Sequence, residues 1–564
     1  MEQKQSEDWL ARYASNYHAW KTEVLDGRWV YRRPLGLVEY SFDKDGTDFG
    51  GRADMNELFT LEVQHTLSKK ELRRRIGLAW TSLRLQHIML MSRVYQDKET
   101  GERHFIVDLH NSEDGVIEQT IRSIVWVDDY YTDVDAYELH HHCLNVGRII
   151  EPSQCLSRLY VLPLIQLPNG NYELNFLTIM GHQISDGLTA YNWFSHFLRI
   201  LNTPGPEIER DIANFMTKES LATRAPPAQE DLYPSVTGNK ARERWFWAIV
   251  RVLRHVKKPL PPTFMNPIRR EERLIEAISL EPKFSKLFDY SEEMRPPMSS
   301  GHCIASLSQT ASTRLVELCR SIKVSVGAGC FALVGISMME IEEQRHPNIP
   351  DSERQPFTAS FPVNPRAFFG FTTPADSCML AFSDGIVMSL LPSSLPIESR
   401  FKLIARQANR QLRIYQKRFK AAETNMSLET DFPARLLASG YLLQIERVEA
   451  KLPADRKTKL KPQGSLPASK SPFGATCGVS SMGSNAAFFK PGTYDFNDIS
   501  TVPGKDFVAD FRSIELGVRA RDNEFLVGSS SDSNGILSFG VSYDLNAISS
   551  EAAAGWARKI EGLL

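Results

Sequence analysis

Cysteine is scarce and scattered in this 564-residue chain. Its seven thiols, at positions 143, 155, 303, 319, 330, 378 and 477, form no CxxC pair, which excludes a disulfide framework and read instead as reduced, mostly buried groups. Charge of one sign is also lacking. With 66 basic against 68 acidic side chains the net charge is -2, so bulk charge gives no hold on a nucleic acid. Long hydrophobic runs are missing too: the uncharged stretch 324–339, closed by Lys323 and Glu340, is shorter than a bilayer span and reads as a buried helix. The first eight residues lack the basic-then-apolar order of a secretory signal. A cytoplasmic location is therefore expected, with the sequon at Asn425 left unmodified. What is present is ordinary: 42% apolar and 24% charged residues, the composition of a globular protein long enough for more than one core.

Several common catalytic signatures are absent. There is no GxxxxGK[ST] phosphate loop, no HExxH zinc helix and no GxSxG nucleophile elbow. The acidic run from Asp43 to Asp48 lacks the closing glutamate of a calcium loop and is expected to be a hairpin turn. His140, His141 and His142 are consecutive, which does not let them converge on a metal, so they are expected to be solvated. The glycines at 327 and 329 lack the acid-ended second strand of a dinucleotide site and are expected to serve close helix packing. No metal site is expected.

The chain divides into two halves with similar parts. In the first, Ser68 and Glu71 form a capping-box pattern before Leu72, Ile76, Ala79, Trp80, Leu83, Leu90, Met91 and Val94, at helical spacing, and a strand is expected at 104–109. In the second, residues 310–322 repeat the helix and 357–363 supply a strand ending before Pro365. Each half closes with a strand and a helix: 176–180 followed by Leu188, Tyr191, Phe194, Phe197, Leu198 and Leu201, and 536–543 followed by a helix over 551–563 capped by Ser549 or Ser550. This alternation predicts an α/β protein, with 1–223 and 299–564 as its subdomains and the proline-rich stretch 224–298 as crossover or linker. Within the linker, residues 241–258 mix Trp245, Phe246 and Trp247 with six arginines and lysines, either a packed helix or an interfacial one. The basic stretch 451–470 reads as a mobile surface loop, or as an attractor of a phosphate-bearing substrate.

One place concentrates chemistry. His182 follows an apolar strand and precedes a helix, where a scaffold presents side chains to a cleft. A neutral imidazole there can take a proton from an alcohol, although burial as a structural histidine is the bland alternative. Asp186 is placed to cap the helix, and Gly187 to let the chain turn sharply.

The run His182-x-x-x-Asp186-Gly187 resembles the signature of the HxxxDG acyltransferase superfamily, which includes chloramphenicol acetyltransferase, the BAHD acyltransferases and the condensation domains of nonribosomal peptide synthetases. Arg33-Pro34-Leu35-Gly36 with Glu39, Phe361-Pro362-Val363-Asn364-Pro365-Arg366, Val479-Ser480-Ser481-Met482-Gly483 and the strand with Tyr543 resemble the fungal branch typified by trichothecene 15-O-acetyltransferase. The resemblance implies two chloramphenicol-acetyltransferase-like subdomains, each a mixed sheet with flanking helices, enclosing a tunnel. It also implies transfer of an acyl group from acyl-CoA, a co-substrate rather than a resident cofactor, to a hydroxyl of a terpenoid or polyketide. In that scheme His182 is the base and attack is direct, without an acyl-enzyme. Asp186 turns away to pair with Arg366, whose fork suits a carboxylate, and Ser480 or Ser481 is the oxyanion candidate. A monomer acting on small molecules is implied. Gly181 stands where condensation domains carry a first histidine, and no DFGWG motif is present, Asp495-Phe496-Asn497 being the nearest fragment. Two other readings stay open: a condensation-like enzyme that uses a carrier-protein donor or catalyses cyclisation, and a noncatalytic or membrane-associated binding protein built around Trp245 and Trp247.

Overall fold

The computed structural model describes residues 9–256, 260–370, 374–383, 385–420, 433–452, 454 and 474–564. Two six-stranded sheets dominate it. The first runs Phe507–Val518, Met55–His65, Tyr172–Met180, Ser157–Val161 and Ile124–Trp126, with Ile165–Gln166 as an extra edge on Tyr172–Met180. The second runs Ser300–Ser306, Leu537–Asp544, Phe525–Ser531, Cys477–Ser484, Phe357–Ser360 and Ile386–Met388. Both mix parallel and antiparallel pairs. The expected mixed α/β architecture is thus present.

Each sheet is covered by amphipathic helices. Lys69–Gln86 starts at the capping box read from the sequence: Ser68 Oγ accepts from the Glu71 amide, and Glu71 Oε2 accepts from the Ser68 amide at 2.9 Å. Its end comes earlier than the apolar spacing implies. Leu90 and Met91 lie in a buried 3-10 turn and Val94 in the strand Arg93–Gln96, because burial continues after the helix stops and prolongs the pattern. Gly187–Leu201 packs beside this helix on one face of the first sheet, while Ala136–Asn145 covers the other. On the second sheet, Val326–Arg345 is buried along most of its length, as expected. Gly329 lies against Cys319 and Phe401, where any larger side chain would collide, so close packing explains it. No single described helix is long and apolar enough to cross a membrane.

One strand escapes the two-halves reading. Phe507–Val518, from the end of the chain, pairs antiparallel with Met55–His65 and forms the edge of the first sheet. A single cut in sequence therefore does not separate the two sheets. The expected strand 357–363 is also interrupted. Phe357–Ser360 stays in the second sheet, whereas Pro362–Val363 leaves it to pair with Ala381–Phe382, because the Phe361 amide donates to Ser383 Oγ at 3.0 Å and Pro362 has no amide to give.

Other expectations fail for reasons the chain alone does not show. Asp43 to Asp48 is no hairpin but the last half of the helix Leu37–Asp48. Its buried carboxylates are held by cations from distant segments, Asp43 by Arg103 and Asp45 by Arg52, Lys451 and Arg521. That helix begins where Glu39 accepts both forks of the buried Arg33, at 2.6 and 2.7 Å. His140 and His142 are buried, not solvated, on Ala136–Asn145. His140 lies over Gly517, whose missing side chain makes the room, and its ring centre is 5.3 Å from that of His302. Among the described residues no group of three metal-ligating side chains exists.

The helix Lys240–Val256 buries Trp247 edge-on against Tyr13, with ring centres 5.1 Å apart, and leaves Trp245 64% exposed. The interfacial-helix reading thus loses one of its two tryptophans to packing. Lys451 ends the helix Pro433–Lys451 instead of opening a loop, and its ammonium is tied to Asp45 and to the Ser41 carbonyl. The remaining bases of that stretch, Arg456, Lys457, Lys459, Lys461 and Lys470, lie outside the described residues, as does Asn425.

Candidate active site

The strand Tyr172–Met180 is buried between two antiparallel neighbours, and the chain leaves it through a tight turn. The Gly181 amide donates to the Leu156 carbonyl at 3.0 Å, and the Ile184 amide donates back to Gly181 at 3.1 Å. A side chain at Gly181 would collide with Gln183, which folds over it. The turn sets His182 at its tip, only partly exposed, with its ring stacked on Phe42: centroids 3.9 Å apart and planes within 6°. Nδ1 is buried without a hydrogen bond of good geometry, which leaves Nε2 as the nitrogen open to a partner. Burial pulls the imidazole down to about 4, helped by the charge of Arg521 and opposed by its own backbone, by Asp186 and by the backbone of Ser185. The ring is therefore neutral at physiological pH, the form that accepts a proton.

Asp186 faces the other way. As N-cap of Gly187–Leu201, its Oδ1 accepts from the Thr189 amide and hydroxyl, both at 3.1 Å. Its Oδ2 accepts from Arg366 Nη2 at 2.5 Å and from the Met379 amide at 3.0 Å. Both oxygens are satisfied within the protein. Arg366 does not grip Asp186 with its whole fork as expected. Nη2 alone serves Asp186, the Thr189 hydroxyl and the Ser377 carbonyl, while Nη1 turns to Asn364 at 3.3 Å.

Gly187 takes an ordinary helical backbone, so the expected sharp turn is not its reason. A Cβ there would stand 2.8 Å from Met482 Cε, and the glycine lets the strand Cys477–Ser484 approach the motif. That strand bulges between Ser481 and Gly483. Ser480 accepts the Ser529 hydroxyl at its carbonyl, and Ser481 faces Gly327. Among the described residues neither serine is hydrogen-bonded to His182; Met482 between them and the motif makes the contact.

Sequence reasoning missed the strap formed by Ala375, Asp376, Ser377, Cys378 and Met379. The Ala375 carbonyl accepts from Asn192 at 2.9 Å, the Ser377 carbonyl from Thr189 Oγ1 at 2.9 Å, and the Cys378 amide donates to Ile184 at 3.1 Å. Asp376 takes the Trp193 indole at 2.8 Å and His87 Nδ1, while His87 Nε2 meets His196 Nδ1 at 2.8 Å. No periodicity or motif marks the strap; apart from the Asp376 carboxylate, its donors and acceptors are backbone groups.

No protein-family profile matches the chain, and no curated protein matches it in sequence. Solved structures do. The trichothecene 15-O-acetyltransferase from Fusarium sporotrichioides superposes with a TM-score of 0.64 at 12% identity, over 97% of both chains. The chain shares the two-subdomain fold of chloramphenicol-acetyltransferase-like proteins. The first condensation domain of the calcium-dependent antibiotic synthetase gives 0.50 at 11% identity over 96% of this chain and 97% of its own. The condensation domain of the monacolin K polyketide synthase gives 0.50 at 9% over 94% and 96%. At these identities the likeness is one of fold.

Proposed function

We propose that this protein is an O-acyltransferase that moves an acyl group from acyl-CoA to a hydroxyl of a terpenoid or polyketide metabolite. The observation that carries the reading is His182: a neutral, partly exposed imidazole at a strand end, with Nε2 open and its loop pinned by Asp186 and Arg366. In this scheme Nε2 takes the proton of the acceptor hydroxyl as its oxygen attacks the thioester carbonyl. The tetrahedral intermediate collapses, the carbon–sulfur bond breaks, and the imidazolium returns the proton to the departing thiolate. No acyl-enzyme forms.

A base held at about 4 is weak for this task at neutral pH, and general-base efficiency is greatest nearer the working pH. Negative charge on the tetrahedral oxygen raises that affinity as the reaction proceeds, because it favours the imidazolium in an enclosed site. Ser480 or Ser481 would donate to that oxygen after movement around the bulge. Asp186 acts by positioning: satisfied on both oxygens, it holds the loop and does not share the proton.

The test is turnover. Purified protein is incubated with a panel of acyl-CoAs and, separately, with acylated carrier protein, each with extracts of candidate metabolites, and products are read by mass spectrometry. Acylated product from the CoA arm that disappears in His182→Ala supports the reading. Full activity in that variant removes His182 as the base, and product only from the carrier arm makes the donor a carrier-bound acyl chain.

A further inference from the structure

Beyond the ring under His182 lies an excess of positive charge. Arg521 Cζ sits 5.5 Å from the Phe42 ring centre, and with the 3.9 Å stack this places the guanidinium within 9.4 Å of the imidazole centre. Arg521 stays 37% exposed, although it pairs with Asp45 at 3.1 Å and Glu524 at 3.6 Å. Asp45 is shared: Arg52 and Lys451 also bind it, each at 3.0 Å, and the other acids of the group are Glu524 on Arg521 and Asp522, 3.8 Å from Arg52.

Arg447 stands one helical turn before Lys451, on the same face of Pro433–Lys451. Its guanidinium lies 4.4 Å over the ring of Phe382, which packs in one apolar cluster with Phe42. Among the described residues it has no hydrogen bond and no ion pair. Glu446, its neighbour in the chain, is taken by Arg254 at 2.6 Å. Burial and the charges of Arg521 and Arg254 hold Arg447 down at about 10, only partly offset by Asp45. An arginine kept charged, partly exposed and unpaired beside other cations leaves an electrostatic deficit that an anion would relieve.

We propose that Arg447, backed by Arg521, forms a carboxylate-binding subsite next to His182, so that one of the two substrates carries an acid group. The proposal rests on the acyl-transfer reading above and deepens it by naming a substrate class. A planar guanidinium stacked on an aromatic ring presents a preorganised fork that matches a carboxylate. The reach also favours a carboxylate over the donor's phosphates, because the long pantetheine arm carries those far from the thioester. The acid is then either on the acyl group of the donor or on the acceptor, within a few bonds of the reacting hydroxyl.

The test uses two matched pairs of probes on the full chain. Acetyl-CoA and malonyl-CoA are compared by calorimetry, and cyclohexanecarboxylate and its amide by ligand-observed NMR, in the wild type, R447Q and R447K. The wild type should prefer the acid member of one pair by about tenfold or more. R447Q should erase that preference, and R447K, which keeps the charge but not the fork, should retain part of it and serves if R447Q does not fold. A preference within the CoA pair places the acid on the donor, and one within the acid–amide pair places it on the acceptor. Equal binding within both pairs in the wild type, or an acid preference undiminished in R447Q, overturns the subsite while leaving acyl transfer intact. If neither CoA ester binds but the Arg447-dependent acid preference stands, the CoA donor fails and the subsite does not.

Discussion

Asp186 and Arg366 are separated by 180 residues in the chain and meet at 2.5 Å, both nearly shut off from water. The contact joins the loop that carries His182 to the 3-10 turn Arg366–Phe369, so the geometry of the motif depends on the other half of the chain. Removing the cation leaves a buried carboxylate with only its amide and hydroxyl donors. Loss of one partner of such a pair costs about 3–5 kcal/mol. Arg366→Ala should therefore lower the urea midpoint sharply, and Asp186→Asn, which keeps the shape and an acceptor for the helix cap, should lower it less. Turnover should fall in both. An Arg366→Ala protein as stable as the wild type would remove the pair from any role in holding the loop.

Gly187 and Met482 offer a sharper test of the approach between sheet and motif. A methyl group at 187 must displace the end of a flexible methionine, and alanine is also a better helix former than glycine, so Gly187→Ala should change stability by less than about 1 kcal/mol. Its effect should fall on turnover, because Met482 sits on the strand that would bring the serines to the reaction. The double variant Gly187→Ala, Met482→Ala should recover activity relative to Gly187→Ala alone. Additive losses in this double-mutant cycle would mean the two residues act independently.

The parts of this site legible in the sequence are those made by neighbours along the chain. The strand, the turn and the capped helix around His182 lie within 30 residues, and their apolar spacing, cap and glycine can be read in order. The Ser68 and Ser549 caps were legible for the same reason. What escaped depends on distant partners. Asp43 and Asp45 look like turn residues until the cations that bury them are known, and the histidine triplet looks solvated until Gly517 is placed over it. Phe507–Val518 carries no local sign of pairing with Met55–His65, because register is chosen by a partner more than 400 residues away.

Buried imidazoles make a prediction about acid. His140 is held at about 3 by burial and by the nearby charges of His302 and His141, and His302 at about 4 by burial. In the unfolded chain each titrates near 6.5, so below that pH the unfolded state binds more protons than the folded one. Stability should be full above pH 6.5 and decline as pH falls toward 4. Urea unfolding measured from pH 7.5 to 4.5 should show this slope, and His302→Gln should flatten it, since an amide does not titrate. A midpoint constant across that range would contradict the burial of these rings.

The strap at residues 375–379 gives a separate prediction about positioning. Asp376 holds it to Trp193 and His87, and His87 in turn holds His196, which burial and His87 lower to about 4. Three elements meet there: the end of Lys69–Gln86, the helix after the motif, and the strap whose Met379 amide reaches Asp186. None of the three side chains touches the face of His182 stacked on Phe42, so they act on catalysis only through the backbone. Asp376→Asn keeps the indole acceptor but removes the charge facing His87. It should loosen the strap, lower kcat by about tenfold with KM little changed, and alter the fluorescence of Trp193, since misplacing a catalytic group by an ångström is enough for losses of this size or more. His87→Gln, with one amide in place of the two ring nitrogens, should give a similar split. A change confined to the unfolding midpoint, with kcat and the Trp193 signal untouched, would reduce the cluster to a structural brace.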